Sequence, residues 1–224
     1  MPLVLRPAKE EDSLRIGYIG ADAFRDTVSR ALFPPRMYDK SETGDPRHDE
    51  AQWRGLRNAG RMKSGKITHV IVDIPEDGSS GEEIVGMAQW EPPSQGSDAA
   101  PDASTETQQD VSPGSLDQEE LAKLMKLIDE ISIDILGPQG HSNIYYLMVL
   151  AVDPAHQRRG VGKMLIRRGL ELAAEAGKDA FLIATLEGRG LYQSVGFRDV
   201  GKPLDLANTP HYPMLWKYPG SNPS

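Results

Sequence analysis

Gln157-Arg-Arg-Gly-Val-Gly162 combines residue types that suit the binding of a diffuse anion. It follows an apolar run, Leu147-Met-Val-Leu-Ala-Val152, that breaks at Asp153-Pro154, and it opens an amphipathic helical pattern. A turn of this kind aims several backbone N–H groups at one spot, at the positive end of a helix dipole, and so makes a site for phosphate. Gly160 and Gly162 carry no Cβ to hold a bulky anion off the backbone. Two other phosphate motifs fail on spacing. A nucleotide P-loop ending at Gly162-Lys163 needs its first glycine where Gln157 stands, and it needs Ser or Thr where Met164 stands. The dinucleotide fingerprint needs a third glycine where Leu165 stands.

The other chemistry-bearing residues are sparser. The chain has no cysteine, which excludes disulfides, thiolate metal sites and a thioester carried on the enzyme. His141, His156 and His211 show no metal-ligand spacing, and no metal centre is expected. The net charge of -8 is uneven: 13 Asp and Glu, and no Lys or Arg, lie between Lys66 and Lys123, so the remainder is mildly basic. That remainder includes Arg158, Arg159, Lys163, Arg167 and Arg168 and suits a compact polyanion such as a nucleotide cofactor. A pI near 5.2 argues against nucleic-acid partners. No apolar run approaches the ~18 residues that cross a bilayer. Met1-Pro-Leu-Val-Leu-Arg6 reads as a strand and not as a secretory signal, so a cytoplasmic location is expected, with no membrane partner.

The elements that must position the turn can be read from periodicity. At 224 residues the chain suits one domain over 1–224. A strand at Leu3–Arg6 precedes a helix over Glu10–Phe24, with Ile16 and Ile19 on one face, and a second helix over Asp49–Ala59 directs Trp53 and Leu56 inward. Strands at Ile67–Ile74 and Ile84–Trp90 flank a turn over Pro75–Gly81. Residues 91–117 have no basic or aromatic residue and read as a flexible acidic insertion. Ser115 and Gln118 have capping-box spacing before a helix that carries Leu121, Leu124, Met125 and Ile128 and stops at Gly137-Pro138. There follow a strand at Ile144–Val152, a helix at Val161–Ala176, a strand at Ala180–Ala184, a short helix at Gly188–Val195, and strands at Phe197–Val200 and Tyr212–Tyr218. This order predicts an α/β, or mixed α+β, fold with a central mixed twisted sheet flanked by helices.

Two motifs in this order resemble the GCN5-related N-acetyltransferase (GNAT) superfamily. Gln157-Arg-Arg-Gly-Val-Gly162 fits its Gln/Arg-x-x-Gly-x-Gly/Ala pattern, and Leu191-Tyr-Gln-Ser-Val-Gly-Phe197 fits its Leu-Tyr-x-x-x-Gly-Phe element. The resemblance extends from Leu3 to Tyr218 apart from the insertion, and implies the GNAT-like acyl-CoA acyltransferase fold. It implies transfer of an acetyl group from acetyl-CoA directly to a primary amine. The amides of Arg158, Arg159, Gly160, Val161, Gly162 and Lys163, after Gln157, would hold the CoA pyrophosphate. Leu150, Ala151 and Val152 would flank the pantetheine arm, Leu150 and Val152 pairing with it by backbone hydrogen bonds.

Tyr192 would protonate the departing thiolate, and a phenol of pKa near ~10 retains the proton to give. Some relatives carry Glu or His as general base on the cofactor strand, at positions that here hold Tyr146 and Met148. Deprotonation then runs through ordered water with Tyr146 as one link, or uses a carboxylate such as Glu91, or is not needed because the amine arrives neutral. A small-molecule amine is the expected acceptor and a monomer or homodimer the expected state. A protein or peptide acceptor, and a CoA-binding sensor without turnover, are the alternatives.

Overall fold

The structure, a computed structural model, describes residues 2–74, 81–94, 112–206 and 209–220. In chain order it contains β1 (Leu3–Pro7), α1 (Ser13–Ala23), α2 (Val28–Leu32), α3 (Pro46–Lys63), β2 (Ile67–Asp73), β3 (Glu83–Glu91) and α4 (Gln118–Leu136). Then come β4 (Tyr145–Val152), α5 (Val161–Glu175), β5 (Ala180–Thr185), α6 (Leu186–Gln193), β6 (Arg198–Asp199), β7 (Leu204–Leu206) and β8 (Thr209–Trp216). The strands form one mixed sheet in the order β1-β2-β3-β4-β5-β8-β6, with β7 also paired to β8. Among the described residues only β4 and β5 run parallel.

Alternation along the strands divides the core between the two faces of this sheet. On one face Ile16 and Ile19 of α1 pack on Val70, Val72, Met87 and Ala151. On the other, Leu165, Ile166, Leu170 and Ala173 of α5 pack on Ile71, Trp90, Leu147 and Leu182. Close approach depends on residues without side chains. A Cβ on Gly17 would stand 1.9 Å from the Ala51 carbonyl oxygen, and one on Gly55 2.7 Å from that of Ser13, so α1 and α3 meet backbone to backbone. A Cβ on Gly169 would stand 2.0 Å from the Trp90 indole, which fixes how deeply α5 beds on β3.

Helix ends follow short-range chemistry. Asp45 accepts from the amides of Arg47 and His48 ahead of Pro46, and Gly137 ends α4 at φ 89°. Ser115 does not cap α4. Asp117 does, accepting from the Glu120 amide, while the buried Ser115 hydroxyl donates to Asp49 at 2.9 Å. Glu91 is the last residue of β3, and Ser115 and Leu116 are buried, so both margins of the expected insertion pack on the fold. Its centre, 95–111, and most of the turn expected over 75–81 lie outside the described residues. Leu56 is 59% exposed, contrary to its expected inward direction, whereas Trp53 is buried. β7 had no clear periodic signal, since three residues are too few to show one.

Two irregularities in β4 shape what lies above it. Opposite Gln89 and Trp90, the β4 partners jump from Val149 to Leu147, leaving Met148 as an extra residue in a β-bulge. The bulge turns Met148 and Val149 toward the same face, since Met148 packs beside Ile128 and Phe181 while Val149 packs beside α1. Moreover, β4 and β5 pair only at Tyr145↔Ala180 and Tyr146↔Phe181. Beyond these the sheet splays into two lobes.

Candidate functional site

The splay opens into a cavity of about 930 Å³ that reaches from the start of α5 to α3 and Tyr146. Its two ends have different chemistry.

At the first end the chain leaves β4 through Asp153, which accepts from the Ala155 amide at 2.9 Å and is held by Arg15 at 2.6 Å. Arg158 and Gly160 have φ of 63° and 86° on either side of Arg159. Alternation of backbone hand over successive residues turns their N–H groups to one side, and the first amides of α5 add to them because they have no intrahelical acceptor. The two glycines serve different needs. A Cβ on Gly160 would meet nothing within 4 Å, so its requirement is the left-handed backbone. A Cβ on Gly162 would stand 2.9 Å from Leu191, so its requirement is packing, and the two sequence motifs meet at this contact.

The residues expected at this end divide into two groups. Gln157, Arg158, Gly160, Val161, Gly162 and Lys163 line the cavity. The Arg159 side chain is directed instead to Asp73 and His156, both at 2.7 Å, and ties the turn to the end of β2.

Along the cavity wall run Leu150, Ala151 and Val152. The Asp153 amide donates to Val85 on the β3 side. Alternate residues of a strand address opposite neighbours, so the Leu150 and Val152 backbones face the splay and that of Ala151 faces β3. An extended ligand arm in the splay would find a half-made ladder.

Tyr192 lines the cavity from α6, its ring edge-on to Phe197 at 6.0 Å. Burial holds its phenol above the ordinary tyrosine value, so the proton is retained. Among the described residues no group hydrogen-bonds this hydroxyl. His211, opposite Thr185 on β8, also lines the cavity and is 3% exposed. Its Nδ1 lies 2.8 Å from the Thr209 carbonyl. A carbonyl only accepts, so the neutral ring carries its proton on Nδ1 and leaves the Nε2 lone pair free to accept a hydrogen bond.

At the second end Tyr146 stacks between His141 at 4.5 Å and Phe181 at 6.1 Å. Burial raises its phenol, Arg61 opposes this, and Glu91 and Asp129 add to the rise. Glu91 is bound to Lys66 at 2.5 Å and His141 at 3.1 Å. Burial pushes its carboxyl up, but those two partners outweigh it and hold the group below the usual glutamate value. A carboxylate so engaged is a poor base. Arg54, Arg57 and Arg61, which belong to no sequence motif, line the same end. Their signal was present: with Trp53 inward, Arg57 and Arg61 follow at four-residue steps on the same helix face.

The sequence matches no curated protein. Among solved structures, one from Corynebacterium glutamicum ATCC 13032 described as histone acetyltransferase HPA2 and related acetyltransferase is 21% identical, with a TM-score of 0.59 over 100% of this chain and 99% of that one. A mosquito arylalkylamine N-acetyltransferase like 5b is 16% identical, with a TM-score of 0.56 over 96% and 99%. The PaiA N-acetyltransferase of Thermoplasma acidophilum, solved in complex with coenzyme A, is 12% identical, with a TM-score of 0.52 over 97% and 100%. These likenesses show a shared fold. The sequence itself matches the acetyltransferase (GNAT) family model over residues 21–197, a span that takes in the splayed strands, the α5 turn and the Leu191–Phe197 segment packed against it, and the chain belongs to that family.

Proposed function

We propose that this protein is an N-acetyltransferase that moves the acetyl group of acetyl-CoA directly to a primary amine of a small molecule. The observation that carries the reading is the continuity of the β4–β5 splay with the α5 turn: one cavity would take both a strand-like arm and a pyrophosphate. Its volume of about 930 Å³ has to serve both the cofactor arm and the acceptor, which leaves room for a small amine beside the arm.

In this reading the amides from Arg158 to Lys163 hold the pyrophosphate, and each charge-assisted contact contributes ~1.5–3 kcal/mol. Leu150 and Val152 complete their ladder with the pantetheine amides. The amine nitrogen attacks the thioester carbonyl, the C–N bond forms and the C–S bond breaks. Tyr192 gives its proton to the departing sulfur and regains one from water. The nitrogen loses its proton through water held by Tyr146 and the Nε2 face of His211. A thioester is already activated, so approach geometry and these two proton movements are the main requirements. Acetyl-CoA is a soluble metabolite, and a cytoplasmic location agrees with a chain that has no cysteine and, among the described residues, no helix long and apolar enough to cross a membrane.

The test is release of CoA thiol from acetyl-CoA over a panel of amines, set beside calorimetric binding of CoA. Turnover on small amines supports the reading. Tight CoA binding without turnover on any amine identifies a sensor instead, and turnover confined to peptides identifies a protein acetyltransferase.

A further inference from the structure

The second end of the cavity holds a cation that the acetyl transfer does not use. Arg61 projects from α3 into the cavity as a partly buried side chain. A guanidinium has five N–H donors in a planar fork. Among the described residues the one acceptor it meets is the neutral Gln89 Oε1, at 3.3 Å. The carboxylate that acts on it, Glu91, is committed to Lys66 and His141. Arg57 stacks on Trp53 with its guanidinium carbon 5.1 Å from the ring centroid.

Burial, with repulsion from Arg57 behind it, pulls the Arg61 guanidinium down to about 10, which still leaves it charged at neutral pH. Glu91 attracts this cation from a distance but does not bond to it. A cation withdrawn from water without a bonded anion costs stability, and such a cost is offset when a ligand supplies the counter-charge. The CoA pyrophosphate is not that ligand. The α5 turn lies beyond Val152, whereas Gln89, the partner of Arg61, faces Val149, three residues back along β4, roughly 10 Å of extended chain before the turn begins.

We infer that the acceptor amine carries a carboxylate, and that Arg61 receives this group while the amine points back along the cavity to the thioester. The favoured acceptors are therefore amino acids or other carboxylated amines, not simple cationic amines. This rests on the acetyltransferase reading for its kinetics but not for its binding prediction, and two assays separate them. In the first, CoA release is measured with matched acceptors: phenylalanine and phenethylamine, tyrosine and tyramine, 4-aminobutyrate and propylamine. At least one acid should exceed its decarboxylated partner by tenfold or more in kcat/KM, mainly through KM. Arg61→Gln should bring that ratio close to one, and Arg61→Lys, which keeps the charge but not the fork, should retain part of it.

In the second assay, CoA-loaded protein is titrated calorimetrically with the N-acetylated product of each acceptor. The acids should bind at least tenfold more tightly than the neutral partners, and Arg61→Gln should abolish the difference. CoA affinity, read at the opposite end of the cavity, reports that each variant is folded. Preferential acid binding without turnover on any amine supports the carboxylate site while sinking the enzyme reading. Equal or greater preference for the decarboxylated amines, a preference that survives Arg61→Gln in a folded variant, or no binding of any acid overturns the inference.

Discussion

In the proposed reaction Tyr192 would act through a proton and Gly160 through a backbone angle. The Tyr192 hydroxyl lies in the cavity wall with burial favouring its protonated form. Tyr192→Phe removes that proton and little else, since the ring contact with Phe197 is kept. The expected result is a fall in kcat of ~10²–10⁴-fold, the usual contribution of a positioned acid, with CoA affinity changed less than threefold. An unaltered kcat at every pH excludes Tyr192 as the acid.

Gly160→Val forces a β-branched residue toward φ 86° and costs ~1–2 kcal/mol if the turn persists. The space around its Cβ is empty, so the core should survive. The variant should lose CoA binding by at least tenfold in calorimetry while its thermal midpoint stays within a few degrees. Unchanged affinity would falsify the pyrophosphate assignment.

At the scale of elements, the cavity depends on helices held at close range. The backbone contact of α1 with α3 sets where Arg54, Arg57 and Arg61 stand above the sheet. Gly17→Ala places a methyl 1.9 Å from the Ala51 carbonyl oxygen, an atom that cannot rotate away. The helices must separate, and the expected destabilisation is ~1–3 kcal/mol, or ~2–12 °C in thermal midpoint. A midpoint equal to that of the unsubstituted protein would show that the α1–α3 contact is looser than this geometry. α4 closes the cavity from the other side, with Leu121 and Leu124 against Phe33 and Trp53, and Ile128 against Tyr146 and Phe181.

For the whole molecule, stability should fall in two steps on acidification. His69 is buried, which disfavours its charged form, and Arg168 adds repulsion, so its folded value is depressed. The unfolded chain takes up the proton first, near ~6.5, and the stability present above that pH is lost as pH falls through the window below it. Asp22 is depressed by its hydrogen bonds from Arg47, against the opposing effect of burial, with help from Arg25. Its contribution is present above the unfolded value near ~3.9 and disappears as pH falls below it. Denaturation midpoints measured from pH 7.5 to 3 should show His69→Gln with a flatter profile between about pH 6.5 and 5. Asp22→Asn should differ from the unsubstituted protein above about pH 4 and converge with it below. Parallel profiles would show that neither group couples to folding.

Local chemistry was legible in the sequence. Gln157–Gly162, the α5 pattern behind it, the Gly137 stop and Leu191–Phe197 concern neighbours in the chain, and their geometry is set by φ restrictions, capping and periodicity that act over a few residues. Features that depend on partners distant in the chain were not. Ser115 has the spacing of a cap, yet its hydroxyl turns to Asp49 because folding brings α3 beside it. Leu56 and Trp53 share a periodicity, and only the elements that cover α3 decide that Trp53 goes in and Leu56 stays out. Arg159 belongs to the motif, but Asp73, on another strand, takes its side chain from the cavity.

The bulge at Met148, the parting of β4 from β5 and the gathering of arginines at Tyr146 likewise arise between elements. Residue types and short spacings therefore determined the α5-turn end of the cavity, because a turn and a helix start are made by contiguous residues. The Tyr146 end of the cavity was decided by the tertiary structure, because its polar groups converge from α3, β3 and β4, and no periodicity within one segment records which partners those groups will find.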